Sequence, residues 1–367
     1  MAVRRKPPWW AENPWWDAPV YTEWVRAHAV TFHAAADTLQ HHFDRQWWAR
    51  VFEAVEPNFV AAHLLMQGTI TLNFIEVLGS ALRLLEGEDG FAAKLAEAKI
   101  DDHGATFLEL QIAAYLREAG FEVGFPPISK SKTCDIRAEH GDERVAVECK
   151  KLEIEEWEHW TRDVMIGALN RPRVPDGHPC DVQIRLNPRL SEIRIDERKH
   201  PGFNEAVANA ITAKIQAAIW EAASHNPTLP LEFPVKGLGT VALHDPMEKA
   251  GSFVQGMEIS PVAQLRRLLT NGLFCAIDQL PEDAPGLIVI QCEHLPDPDF
   301  ARIILDAITE SDRGVFDRLA ALLIIPTRYF NDDRSALLFV NRYTAHQPAE
   351  SLKAVCILRD RLQAFVA

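Results

Sequence analysis

Asp135, Glu148 and Lys150 lie where two carboxylates and an ammonium can meet. Residues Thr133–Glu139 (TCDIRAE) alternate between apolar and polar, and Arg144–Leu152 (RVAVECKKL) alternate again. Between them His140–Glu143 (HGDE) has the composition of a hairpin turn, so the stretch predicts two antiparallel strands. Side chains two apart on a strand point the same way, which puts Glu148 and Lys150 on one face. Asp135 reaches that face across the hairpin if the register allows. Two converging carboxylates make a hard-oxygen site suited to Mg²⁺ or Mn²⁺. A neighbouring ammonium would orient a water or stabilise charge on a phosphate. Val145 and Val147 alternate with Ala146, Glu148 and Lys150, which predicts an apolar inner face and a polar pair emerging at the strand's end. A charged pair on a half-buried strand needs a partner or a metal. The plainer alternatives are that Lys150 pairs with Glu148 or Glu153 on an exposed face, and that Asp135 forms a turn.

The elements around the hairpin set its orientation. A helix over His103–Ala119 carries Glu109, which read alone is a solvated helix residue. Gly120 is placed to end that helix as its C′ residue, and Phe121–Phe125 (FEVGF) follows as a strand. After the hairpin come a helical stretch near Ile154–Leu169 and a strand at Asp181–Leu186 (DVQIRL). The order is helix, three strands, helix, strand.

With Asp135 followed thirteen positions later by Glu148, then Cys149 and Lys150, this stretch resembles the PD-(D/E)XK nuclease superfamily, which has the restriction-endonuclease-like fold. Ile128–Asp135 (ISKSKTCD) is similar to the loop entering the Asp strand in Holliday-junction resolvases and Mrr-like members, with Cys134 at the position of the name-giving proline. The resemblance covers roughly residues 103–190 on ordinary element lengths. It implies an α/β fold with an αβββαβ core and a mixed sheet. It also implies that Asp135 and Glu148 ligate Mg²⁺ or Mn²⁺ together with the backbone carbonyl of Cys149. By the same resemblance Lys150 activates the attacking water or neutralises charge, and Glu109 binds a second metal or holds a metal-bound water. The implied reaction is hydrolysis of phosphodiester bonds, and relatives of this fold serve defence, repair or mobile elements.

The rest of the chain sets limits on this reading. Its 367 residues suggest two domains or one with an extension. A hydrophobic share of 47% excludes disorder as the main state. Residues 1–100 read as a helical extension carrying seven of the ten tryptophans, suited to packing, to dimer contact or to docking a partner. In it Asp37 and Asn58 stand where N-caps would serve. Residues 101–200 form the nuclease-like core. Residues 201–367 carry a helix at Glu205–Ala223 and apolar strands at Leu287–Cys292, Ala321–Ile325 and Ala336–Asn341, extending the same sheet or packing on it. The six cysteines contain no C-x-x-C pair, which argues against a zinc ribbon, and Cys149 reads as core. No P-loop, secretory signal or spanning segment is present, and the expectation is a cytoplasmic protein.

The net charge of −14 argues against a protein that coats nucleic acid, though not against a local basic groove. Lys130, Lys132, Lys151, Arg171 and Arg173 are the candidates for contact with a phosphate backbone. The expected partner is nucleic acid, DNA foremost, with a homodimer as the working assembly and no membrane. Two alternatives stand beside this one: a non-cleaving binding or scaffold module with a remnant nuclease fold, and an RNase or nucleotide-directed nuclease.

Overall fold

The computed structural model describes residues 28–54, 58–65, 69–101, 104–127, 133–152, 181–187, 201–225, 228–244, 265–292, 295–326, 336–344, 352–363 and 365–366. Six helices come first: α1 (Ala29–His42), α2 (Arg45–Ala54), α3 (Phe59–Leu65), α4 (Thr69–Leu85), α5 (Phe91–Ala98) and α6 (Ala105–Glu118). Side-chain caps begin three of them. The Asp44 carboxylate accepts the Trp47 N–H at 2.8 Å before α2, and the Asn58 side chain accepts the Ala61 N–H at 3.0 Å before α3. Asp101 accepts the N–H groups of Gly104 and Thr106, both at 2.9 Å, at the start of α6. Asp37, expected to cap, lies inside α1 instead. Gly120 ends α6 as predicted. At φ +93° it lets the Phe121 N–H reach the Leu116 carbonyl at 3.1 Å and its own N–H reach Arg117 at 3.0 Å.

Strands β1 (Glu122–Gly124), β2 (Ile136–His140) and β3 (Glu143–Lys151) follow. Then come β4 (Asp181–Leu186), α7 (Pro201–Ser224), β5 (Leu231–Val235) and β6 (Gly239–His244). A π-helical turn, Leu268–Leu273, runs into α8 (Phe274–Ile277) and β7 (Gly286–Cys292). The chain closes with α9 (Pro298–Ser311), α10 (Arg313–Phe316), β8 (Leu319–Pro326), β9 (Leu337–Val340), α11 (Lys353–Arg361) and β10 (Phe365–Val366).

These elements divide between two compact units, Met1–Glu153 with Arg267–Ala367, and Ile154–Arg266. Breaks at residues 100 and 200 do not coincide with these boundaries. The first unit holds a seven-stranded mixed sheet in the order β1-β2-β3-β7-β8-β9-β10. Its first three strands are antiparallel, β3, β7 and β8 run parallel, β9 is antiparallel to β8, and β10 is parallel to β9. The second unit packs Ile184, Val241 and Leu243 of its antiparallel sheet β4-β6-β5 against Ile211, Ile215 and Ile219 of α7.

The expected fourth strand of the hairpin's sheet, Asp181–Leu186, is therefore corrected. It belongs to the second unit, and the strand beside β3 is β7. The sequences explain the exchange. β7 is apolar along nearly its whole length and buried throughout, as a central parallel strand must be, whereas DVQIRL alternates and suits an antiparallel sheet with one covered face. The stretch Ile154–Leu169 lies outside the described residues.

The N-terminal helices are part of the first unit's core. Phe32, Phe74, Leu78, Leu108 and Ile112 share one apolar cluster with Ile136, Val145, Val147 and Cys149. Trp47 and Trp48 are buried in it; Trp9, Trp10, Trp15, Trp16 and Trp24 lie outside the described residues. Helix α1 crosses α4 at Gly79, where a Cβ would run into the Ala35 carbonyl. The other sheet face carries Ala146, Glu148 and Lys150 beside Ile288 and Ile290. The π-helical turn lies over it, and a Cβ on Gly272 would stand 2.7 Å from Ile290 Cδ1. Among the described residues no helix is long and apolar enough to cross a membrane.

Candidate active site

The hairpin register brings Asp135 to Glu148. Ile136 pairs with Val147 as the last rung between β2 and β3, so β3 runs on past the start of its partner. Asp135 takes over there with its side chain: Oδ2 accepts the Cys149 N–H at 2.8 Å. A strand residue's N–H and C=O project to the same edge, which puts the Cys149 carbonyl on Asp135's side as well. The Cys149 side chain points the other way into the core, and burial pushes its thiol well above the ordinary range.

Glu148 is wholly buried at 0% exposure, which corrects the expected polar pair emerging from the sheet. Both faces of β3 are covered, one by the helices and the other by the segment from Leu268 through α8. Glu148 Oε1 stands 2.5 Å from Lys150 Nζ, while Oε2 is buried without a hydrogen-bond partner. Gln279, just beyond α8, spans the pair: with its amide oriented to suit both, it donates to Glu148 Oε1 at 2.9 Å and accepts from Lys150 Nζ at 3.1 Å. No local pattern in the sequence marks Gln279, because its partners are more than a hundred residues away. The Lys150 side chain keeps 24% of its surface exposed, so the ammonium bridges the buried carboxylate and the outside.

Glu109 is also buried, at 8% exposure, rather than solvated. Its partner is Lys94 of α5, with Nζ 2.5 Å from Glu109 Oε2 and 2.6 Å from Glu97 Oε2. Lys94 was legible in the sequence and passed over: in FAAKLAEA, Phe91, Lys94 and Ala98 share one helical stripe, and all three are buried.

Crowded carboxylates in a dry place resist ionisation. Burial raises Glu148, helped by Asp135, from 4.5 to about 8. Burial and then Asp135 raise Glu109 from 4.5 to about 7. Asp135 is raised by burial and held back by the Cys149 N–H. Burial works against the Lys150 ammonium, but Glu148 beside it and Asp135 more than offset this, so Lys150 stays charged beyond the ordinary lysine range. Lys94 behaves likewise, with Glu109 and Glu97 overcoming its burial.

The structure therefore brings Glu109, Asp135, Glu148 and Lys150 into one electrostatic cluster. Lys151 points to the opposite face, where its ammonium lies 4.2 Å from the centroid of the Phe59 ring. Lys130, Lys132, Arg171 and Arg173 lie outside the described residues. Among the described residues no group of three acidic, His or Cys side chains converges closely enough to hold one metal ion. The pair Asp135 and Glu148 nonetheless fits a hard divalent cation. It offers an uncommitted buried oxygen, a second carboxylate within reach and an adjoining backbone carbonyl. No family model, curated protein or solved structure matches the chain.

Proposed function

We propose that the chain is a Mg²⁺- or Mn²⁺-dependent nuclease that hydrolyses phosphodiester bonds in DNA, working in defence, repair or a mobile element. The observation that carries this is Glu148: fully buried, with one uncommitted oxygen, beside Asp135 and on the same strand face as Lys150. The path of the chain supports a restriction-endonuclease-like core. Helix α6 leads into three antiparallel strands, and after the second unit α8 leads into β7, parallel to β3.

When bound, the divalent ion would supply Lewis-acid activation of water and charge neutralisation at the phosphate. The Cys149 N–H orients Asp135, and Gln279 fixes both Glu148 and the Lys150 ammonium. Lys150 would donate to a non-bridging phosphate oxygen or to the attacking water from its partly exposed position. In-line attack forms one P–O bond as the opposite P–O bond breaks.

One observation favours the non-cleaving reading. Glu109 and Glu148 each already have a lysine at 2.5 Å, so the cluster is partly neutralised from within. A substrate panel separates the two. Supercoiled plasmid, linear duplex, single-stranded DNA and RNA are incubated with Mg²⁺, Mn²⁺ or EDTA, beside Lys150→Ala and Asp135→Ala. Metal-dependent cutting of DNA, lost in both variants, is the expected result. A folded protein that cuts nothing is either an enzyme gated by a partner or a binding module, and cutting of RNA alone moves the substrate.

A further inference from the structure

The two lysine–carboxylate pairs of the cluster are not equivalent. Lys94 is buried, and its ammonium is committed to two carboxylates, Glu109 and Glu97, at 2.5 and 2.6 Å. It comes from a separate helix, α5, whose apolar stripe carries it inward. An ammonium held this way sits where a cation between Glu109 and Glu97 would sit. Glu109 thus has the Lys94 ammonium as its ion-pair partner, and among the described residues no three acidic groups converge on one point. The charges agree. Glu97, Glu109, Asp135 and Glu148, when ionised, against Lys94 and Lys150 leave a net charge of −2, which a single divalent ion neutralises.

We propose that Lys94 is a built-in cation that takes the place of a second metal, so that the site holds one divalent ion, on Asp135 and Glu148, with Glu109 paired to Lys94 rather than ligating the ion. This rests on the metal-site reading given above. It excludes a two-ion arrangement in which Glu109 ligates. It also gives Lys94 a purpose beyond packing: a lysine only needed to fill space would not have to reach two carboxylates.

The test is calorimetric titration of the full chain with Mn²⁺, with no nucleic acid present. The wild type is expected to bind one ion. Glu109→Gln should leave both stoichiometry and affinity within about threefold of wild type, because Lys94 remains paired with Glu97. Asp135→Asn should weaken binding by at least about 10- to 100-fold, the cost of losing even an outer partner of a bound metal. Lys94→Met, checked for folding by circular dichroism, vacates Glu109 and Glu97 and should gain a second ion, whereas Lys94→Arg should keep one. Two ions in the wild type overturn the proposal, as does a loss of tenfold or more in Glu109→Gln, or a folded Lys94→Met that still binds only one. If Lys94→Met does not fold, the wild-type stoichiometry and Glu109→Gln decide. No ion bound by the wild type would overturn the reading of Asp135 and Glu148 as ligands themselves, which is a different failure from binding two.

Discussion

The pair Lys94–Glu109 and the pair Lys150–Glu148 are built from the same chemistry at the same 2.5 Å separation, yet their surroundings differ. Lys94 sits between two helices and is shared by two carboxylates, Glu109 and Glu97. Lys150 sits where β3 has run past the start of β2, next to a second acid and a carboxylate oxygen without a hydrogen-bond partner. The first arrangement is closed, one ammonium held between two carboxylates. The second has an unspent acceptor at the end of a ladder, which is where an added cation gains most. Ion pairs in a protein interior are therefore told apart by what is left over once the pair has formed, rather than by the pair itself.

The largest expected effect separates the pairs by activity. Lys150→Ala should lower DNA cleavage by about 10²- to 10⁴-fold. Lys94→Arg, which keeps the charge, should stay within about tenfold of wild type. Equal losses would erase the distinction. Stability should reverse the ranking. Lys94→Ala strands the buried Glu109 carboxylate and should cost about 3 kcal/mol in urea unfolding. Lys150→Ala, at a partly exposed position and with Gln279 still in place, should cost less. A larger loss in Lys150→Ala would show that the strand pair carries the fold.

Ligand stabilisation sharpens the contrast further. Mg²⁺ at about 100 times its Kd should add about 2.7 kcal/mol to the wild type. Asp135→Asn should lose half of that gain or more and Glu109→Gln should keep it. Stability should also depend on pH. Glu109 and Glu148 titrate at about 7 and about 8 when folded but near 4.5 when unfolded, so between these values the folded chain binds more protons. Without metal their contribution is complete below pH 4.5 and is lost as the pH rises through 7 and 8. Thermal scans from pH 5 to 9 should show Tm falling, and saturating Mg²⁺ should flatten the part that belongs to Glu148.

Much of the site was legible in the chain. The alternation in RVAVECKKL and the turn HGDE place Glu148 and Lys150 on one strand face, and the structure keeps them there. Gly120 and Asn58 end and begin helices as their chemistry requires. Depth was not legible. Alternation predicts one covered face, but the segment from Leu268 through α8 covers the second, and it arrives after more than a hundred residues of another unit. Gln279 was hidden for the same reason. Consecutive strands usually neighbour each other, which points to DVQIRL as the next strand, and the inserted unit breaks that rule. Lys94 was a different kind of miss. A lysine on the apolar stripe of FAAKLAEA is a local signal that a buried acid waits for it.

The most direct measurement is cleavage of supercoiled plasmid in Mg²⁺ by the wild type and by Lys150→Ala, matched for folding and concentration. The account predicts nicked or linear product from the wild type, none when EDTA is added, and a loss of about 10²-fold or more in the variant. Equal cutting by the two proteins, or cutting that survives EDTA, would contradict it.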